Sequence, residues 1–583
     1  MAIRIAVCLL SLLPATAFAQ SGDIDHGTQA LEVLKKHCFD CHADGSNEGA
    51  FGFADDLAKI VAKQTVVPGN VPQSRLFIRM HAGEMPPQGE EPTGERPTQA
   101  ELDIIGQWIA AGAPEPGAKI NTVAAREVIG LGEELHHARS YLRTIDRAER
   151  QYIRFFSMRV LHNTPSRTPA EIDYSRAALG KVLNSLSWRH RVVVPAKVDP
   201  AGTLYAIDMR DLTWTVDTWT TLLSHYPYGL KFDVLPDNEV INELAREIYE
   251  LTGTDIPAIR ADWFIARATR PPLYHHLLRI PEYDAQLESK LGVHALRNIR
   301  NAEVDRAGMI VSGISEQHRL VERHEGTNGY YWKSYDFKPT SKRGDLTRFP
   351  LGPEYDRHPY PHMAFEHDGG EIIFRLPNGL QGYMLTDGLG KRIDAGPTDV
   401  VADKTRVSGN VEIVNGLSCM ACHTQGMLPL EDIVRDSSSL GGEARNFMRR
   451  LYPKREEMNA LVAGDRDFFR TAVLRAMKGM AEDDAALVKA DGSVLEPVGP
   501  LARFYALQTL GIEELAAELG VAPDFLNAAI QVNDRFRDAG LGPVATGQGH
   551  MKRQIWEDTT HLVSPYQKAA SLLRLGTPKA VMK

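Results

Sequence analysis

The sequence predicts a multidomain chain, mainly α with a β-rich insert: a small all-α N-terminal domain, a central helical region, an antiparallel β region and a helical C-terminal region. Three observations predict it. The length of 583 residues corresponds to roughly four domains at about 150 residues each. Apolar residues recur at helical spacing over most of the chain, then give way after about residue 305 to short β-prone runs separated by Asn-Gly and Asp-Gly turns. One five-residue cysteine motif occurs twice, far apart in the chain, so two segments must be built around it.

Composition narrows the function classes. With 43% hydrophobic and 24% charged residues and a mean hydropathy of -0.27, collagen, wholesale disorder and a polytopic membrane protein are excluded. The formal charge is -9 and no long Lys/Arg run appears, so nucleic acid is not expected as a partner. Residues 1–19 read as a signal peptide. Arg4 supplies a positive start, Ile5 to Leu13 is apolar, and Ala17-Phe18-Ala19 fits the small-x-small cleavage rule, with cleavage before Gln20. The mature chain is therefore expected to be periplasmic or secreted. No later stretch is apolar over the roughly 18 residues of a membrane span, so no transmembrane segment is expected after cleavage.

Residues 24–115 form the first domain. Gly27 to His37 places Leu31 and Leu34 on one helical face and runs into Cys38. Removing Cys8 with the signal leaves four cysteines, all in two identical patterns: Cys38-Phe39-Asp40-Cys41-His42 and Cys419-Met420-Ala421-Cys422-His423. C-x-x-C-H is the attachment signal for c-type haem. Two thiols three positions apart can each form a thioether to one edge of the porphyrin, while the following imidazole reaches the iron. Structural zinc, thioredoxin-like redox pairs and disulfides are the competing readings. With 20 histidines in the chain, chance would place one after both pairs about once in 850, which favours two covalently bound haem c groups. Cys38, Cys41 and His42 would hold the first iron porphyrin and Cys419, Cys422 and His423 the second.

The rest of this domain reads as a Gly- and Asp-rich loop over residues 43–56, a turn at Val67-Pro68-Gly69-Asn70, a short helix from Ser74 to His81, and a loop Gly83-Glu84-Met85-Pro86-Pro87. Thr98-Gln99-Ala100-Glu101 is a capping box opening a closing helix with Leu102, Ile105, Trp108 and Ile109 on one stripe, ending near Gly112. Met85, on a loop stiffened by two prolines, is the first choice for sixth ligand of this haem. Met80, with the look of a core residue, His81, and no ligand at all are the alternatives.

The runs CFDCHADGS, VPGNVPQSRLFIRM, EMPPQGE and ELDIIGQWIAAGAP together resemble the planctomycete-type cytochrome c domain, with Val71 standing before Pro72 where a tighter turn is common. The resemblance covers residues 24–115 alone. It implies a haem-binding electron-transfer domain, a small all-α cytochrome c, with His42 and Met85 as axial ligands.

Residues 120–300 read as mainly helical. Arg126 to Val160 has long helical periodicity, Pro169 to Trp188 gives another helix, and Asp237 to Leu251 and Pro281 to Leu291 give shorter ones. Arg191 to Pro195 and Thr203 to Met209 form a β-like interruption. His136, His137, His162, His190, His225, His275 and His276 lack metal-ligand spacing and read as structural or surface groups.

Residues 305–410 read as an antiparallel meander from Gly308 to Gly313, Arg319 to Arg323, Tyr330 to Phe337, Glu371 to Leu376, Gln381 to Leu385 and Asp399 to Ala402. The loop from Lys338 to Met363, with His358, Tyr360 and His362, either covers the second haem or is a plain surface excursion.

Residues 411–583 form the second haem-binding region. Val411 to Leu417 reads as extended chain or loop entering the motif, and helices follow over 443–451, 454–461, 466–477, 500–510 and 512–519. Met427, Met448, Met458, Met477, Met480, His550 and His561 are candidates for the distal ligand, and an open sixth position is the alternative. The expected function is an exported dihaem c-type cytochrome that exchanges electrons with a redox partner protein or a small donor or acceptor. The alternatives are a dihaem oxidoreductase of peroxidase or oxygenase type with an open second haem, and a haem-bearing redox sensor or binding protein.

Overall fold

The computed structural model describes residues 25–581, apart from 44–45, 47–48, 50, 88–94, 119–125, 233, 237, 311–314, 316, 400, 404–405 and 545–548. The expected signal peptide lies outside them, as does part of the loop over 43–56. Helix accounts for about 45% and strand for about 13%, which makes the chain mainly α with antiparallel sheets. No helix among the described residues is long and apolar enough to cross a membrane.

The N-terminal helices are α1 (His26–His37), α2 (Phe39–His42), α3 (Leu57–Ala62), α4 (Arg75–His81) and α5 (Gln99–Ala110). Asp25 caps α1 by accepting from the Thr28 amide at 3.0 Å, and the Thr98–Glu101 capping box opens α5. Their apolar stripes meet in a core of their own built around Leu34, Ile60, Phe77, Ile105 and Trp108. The turn after Pro68 docks this module on the next part of the chain. Thr168 Oγ1 donates to the Gly69 carbonyl at 2.5 Å and the Val71 amide donates to Glu171 at 3.1 Å.

The stretch from Arg126 to Val160 is not one helix. After α6 (Leu131–Thr144) the chain becomes strand β1 (Ile153–Ser157). Ile153 and Phe155 enter the core under α6 while Phe156 enters the main core on the other side, and burial on both faces removes the alternation that marks a strand in sequence. Thr168 and Glu171 then form the capping box of α7 (Pro169–Ser185). Of the β-like interruption, Thr203 to Met209 contains β3 (Leu204–Asp208), but Arg191 to Pro195 is not strand; β2 is Ala196–Lys197, since Pro195 has no N–H to give a ladder. With β4 (Ala258–Arg260) these make a four-stranded sheet in the order β2-β3-β1-β4. Helix α8 (Ala261–Arg267) follows directly.

The meander is a six-stranded antiparallel sheet: β5 (Asp305–Met309), β6 (Arg319–Gly326), β7 (Gly329–Asp336), β8 (Gly369–Arg375), β9 (Gln381–Asp387) and β10 (Arg392–Ile393), each beside its sequence neighbour. No strand forms at 399, 401 or 402, just beyond Pro397. Opposed residues share a face, so the register Met309–Arg319–Asp336 and Arg323–Trp332–Ile373 defines one side. The other side buries Arg306, whose Nε and Nη2 donate to Glu322 at 2.9 and 2.7 Å, with Tyr335 and His324 completing that carboxylate's shell. The loop from Lys338 to Met363 covers this second side, where Leu346 and Leu351 pack on Leu320 and Tyr335.

The segment before the second motif is extended chain and loop up to Gly416, as expected. A two-residue strand, Ile413–Val414, leads into α9 (Leu417–Cys422), which carries both cysteines. Helix α10 (Gly442–Leu451) follows. The two helices expected over 454–461 and 466–477 are one, α11 (Arg455–Met477), and α12 (Val498–Leu507), α13 (Ile512–Leu519) and α14 (Arg553–Trp556) come after it. One continuous core runs from Phe156 through the sheet to the C-terminal helices.

Candidate haem centres

Both pentapeptides fold as one helical turn. The His42 amide donates to the Cys38 carbonyl at 2.9 Å and the His423 amide to the Cys419 carbonyl at 2.8 Å, which brings the two cysteines of each motif to one face. In each, the imidazole Nδ1 lies at a backbone carbonyl: Phe51 O at 2.8 Å for His42 and Gly426 O at 3.2 Å for His423. Donation from Nδ1 fixes the ring and leaves Nε2 as the lone-pair nitrogen, the form a metal-ligating histidine takes. Gly426 adopts φ +93°, a backbone state open to glycine that turns its carbonyl toward the ring.

All four thiols are free. Burial and the neighbouring Cys41 push Cys38 up to about 12; burial and the Glu371 and Asp403 carboxylates push Cys422 up to about 12. Thiols held protonated in this way are poor thiolate ligands or redox nucleophiles. Cys38 belongs to the N-terminal core and Cys419 to the main core, so the two pairs do not converge on one zinc. Thioether formation needs no such convergence, and the residues present fit a covalently attached porphyrin at each turn.

At the first centre, Phe51 packs edge-on to His42 at 5.1 Å between ring centroids. Met85 is partly exposed on a loop folded back on α4, where the Glu84 and Met85 amides donate to the Arg79 carbonyl at 2.9 and 3.2 Å. Met80 is buried in the N-terminal core, and His81 stacks on Phe77 at 5.4 Å.

At the second centre, α9 faces the first side of the six-stranded sheet across a cavity of about 790 Å³, within the size range of ligand and cofactor pockets. Cys419, Cys422 and His423 line it, opposite Met309, Val321, Trp332 and Ile373. The apolar part suits a porphyrin face. The rest of the wall is ionic: Arg319 donates from Nη2 to Ser334 at 2.8 Å and to Glu371 at 3.2 Å, and its Nε lies 3.1 Å from Asp336. Burial alone would raise the Glu371 carboxyl, and the Arg319 guanidinium opposes it. Glu371 Oε2 stands 3.7 Å from His423 Nε2. Tyr383 lies beside the same imidazole, ring centroids 6.3 Å apart.

Helix α12 touches both centres. Gly499 packs so closely on α9 that an added Cβ would stand 2.9 Å from Ala421 Cβ. Four and five residues on, Arg503 pairs with Glu84 beside Met85, and Phe504 packs against Phe77 at 6.3 Å. A second cavity, about 520 Å³, lies between the modules, bounded by Arg79, Glu84, Ala421 and Thr424.

Among the distal-ligand candidates, Met427 lines the second-centre cavity. Met448 is buried with α10, Met458, Met477 and Met480 lie in the main core, and His550 and His561 are exposed. Among the histidines of the central region, His162 is tied to the Glu127 carbonyl and His225 to that of Thr221. His275 alone reaches the approach to the second motif, accepting from Asn415 at 2.7 Å. His358 is buried against the Leu351 carbonyl on the far side of the sheet. Arg319, Glu371 and Asp336 escaped the sequence reading. Their signal was charge at positions of β-prone runs whose alternation should point inward.

No curated protein and no solved structure matches the chain. A family model does, over residues 38–89, and it describes planctomycete cytochrome C. That segment opens on Cys38-Phe39-Asp40-Cys41-His42 and extends just past the Met85 loop, so the N-terminal module is a planctomycete-type cytochrome c domain, a kind of domain that holds covalently bound haem c.

Proposed function

We propose that the protein is an exported dihaem c-type cytochrome that passes electrons between two covalently attached haems and an external redox partner, protein or small molecule. Bound haem supplies one-electron exchange between ferric and ferrous iron. The chain's own residues hold and orient it. Cys38 and Cys41 tether the first group and Cys419 and Cys422 the second; His42 and His423 present Nε2 because Nδ1 is committed to a backbone carbonyl. Met85 would hold the first iron by its thioether, a soft ligand that favours the ferrous state. Residues 24–115 act as the electron-exchanging module, and the remainder forms the housing of the second group. The observation that carries the reading is the shared helix α12, which seats Gly499 on the second motif and Arg503 and Phe504 on the first module. A fixed bridge of this kind sets one separation between the centres.

The test is the mass and the absorption and electron paramagnetic resonance (EPR) spectra of the haem-loaded chain in both oxidation states. Two haems per chain, the first low-spin with a thioether-to-iron charge-transfer band, are expected; a mass increment of one haem overturns the dihaem reading. A second reading, an oxidoreductase acting at the second centre, is favoured by the ionic wall of the 790 Å³ cavity. Rapid, stoichiometric reaction of that centre with peroxide would select it.

A further inference from the structure

The methionines of the C-terminal region do not approach the second centre from across its cavity. Met427 lies four residues after His423, on the same return of chain, and so on the imidazole's own side. Met309 on β5 and Glu371 on β8 both face α9 across the cavity, and the carboxylate is the one placed against the imidazole. Glu371 projects from β8, across the cavity from α9, with Oε2 3.7 Å from His423 Nε2. An iron held between an imidazole nitrogen and a carboxylate oxygen, at about 2 Å from each, separates them by about 4 Å. We infer that Glu371 is the sixth ligand of the second haem iron, an inference that rests on the dihaem reading above.

The surroundings are those of a positioned ligand rather than a stray acid. Arg319 Nη2 bonds the same Oε2 at 3.2 Å, and Ser334 Oγ accepts from the Glu371 amide at 2.8 Å while receiving Arg319 at 2.8 Å. Asp336 balances the guanidinium at Nε, 3.1 Å away. Outer-shell partners of this kind orient a metal ligand and tune its basicity. The carboxylate is anchored by a sheet, whereas the thioether of the first centre rides on a loop. A hard anionic oxygen stabilises ferric iron, so the second haem is the lower-potential one, and a small anion can enter only by displacing Glu371.

The experiment uses the full chain with Cys38→Ala and Cys41→Ala, which carries the second haem alone, with and without Glu371→Gln. In the parent the ferric haem shows no thioether-to-iron charge-transfer band. Glu371→Gln changes its ferric EPR spectrum, shifts the ferrous-to-ferric ratio at fixed poise at least about 10-fold toward ferrous, equivalent to about 59 mV, and tightens cyanide binding at least about 10-fold by removing a competitor. Met427→Leu, in the cavity lining, does not produce the spectral change that Glu371→Gln produces. A thioether band in the parent, an unchanged spectrum in Glu371→Gln, or a spectrum that follows Met427 instead overturns the assignment, and the parent band decides the matter even where Glu371→Gln does not fold. A parent chain with no haem at all is a different result, and it removes the dihaem reading itself.

Discussion

At the first pentapeptide the chain surrounds the motif with its own helices α1 to α5 and an apolar core, so one short segment encloses its cofactor. At the second, the same turn with the same imidazole geometry is laid against a β-sheet contributed by residues up to 118 positions earlier, Asp305 onward. The pentapeptide therefore specifies attachment and proximal ligation and nothing about the distal side. On the proposed dihaem reading, that side would be set by whatever the fold brings opposite: a methionine loop in one case, an Arg319–Glu371–Asp336 cluster in the other. A ligand search by spacing from the motif works only where the domain is self-contained.

The largest expected effect tests the likeness of the two turns. His42→Ala and His423→Ala should each abolish the low-spin or protein-ligated ferric signal of one haem and leave that of the other, read by EPR on the purified chain. An unchanged spectrum in either variant would remove that histidine from the iron.

The next breaks the housing of the second centre without touching it. Glu322 and Arg306 are both fully buried on the far side of the sheet, and Glu322→Ala leaves a guanidinium with no counter-charge. Losing one partner of a buried pair costs about 3–5 kcal/mol. Urea unfolding followed at each haem should then show the second centre lost at lower denaturant than the first. Loss of both together would mean that the N-terminal core does not stand alone.

Acid should separate the two modules in the same sense. Burial would raise Glu518, but Arg260 and Arg553 outweigh it and bring the carboxyl to about 2 from an unfolded value of 4.5. Arg260 grips it from both terminal nitrogens at 2.7 and 3.0 Å, and Trp556 Nε1 adds 2.8 Å. A depressed folded-state value means that the stabilisation is complete above about pH 4.5 and is lost as pH falls toward 2, worth up to about 3 kcal/mol. Burial would raise Glu101 of the first module too, but Lys36, Thr98 and His37 outweigh it and hold it at about 2; its main partner, Lys36, is half exposed, so solvent screening makes the contribution far smaller. Glu518→Gln should flatten the acid limb of unfolding for the body of the protein and leave the first centre's limb in place; identical limbs in wild type and variant would refute the assignment.

What the sequence made legible follows the same division. The capping box at Thr98, the stripe of Leu102, Ile105, Trp108 and Ile109, and the attachment turn are local patterns, and they lie in the module whose core is local. The meander was legible because its turns are local. Strand β1 was not, because Phe155 and Phe156 serve two different cores, and α9 was not, because a single turn of helix after Gly416 is too short to show a period. Glu371 and Arg319 were invisible as site residues for a stronger reason: their importance depends on α9 lying across from β8, a long-range fact that no window of sequence contains.

The smallest effect addresses the bridge. Gly499→Ala places a Cβ 2.9 Å from that of Ala421, a contact that forces α12 and α9 apart. Overpacking costs about 1–3 kcal/mol, while replacing a helical glycine by alanine returns up to about 1 kcal/mol. The net change in stability is therefore about 0–3 kcal/mol, too small to unfold the chain. Its consequence for transfer between the centres is not offset in that way, because the gain in helix propensity does nothing to restore the separation. Flash reduction of the first haem should be followed by slower equilibration with the second in Gly499→Ala, with both ferric spectra unchanged. Equal rates in the two proteins would mean that electrons do not cross at the contact between α12 and α9.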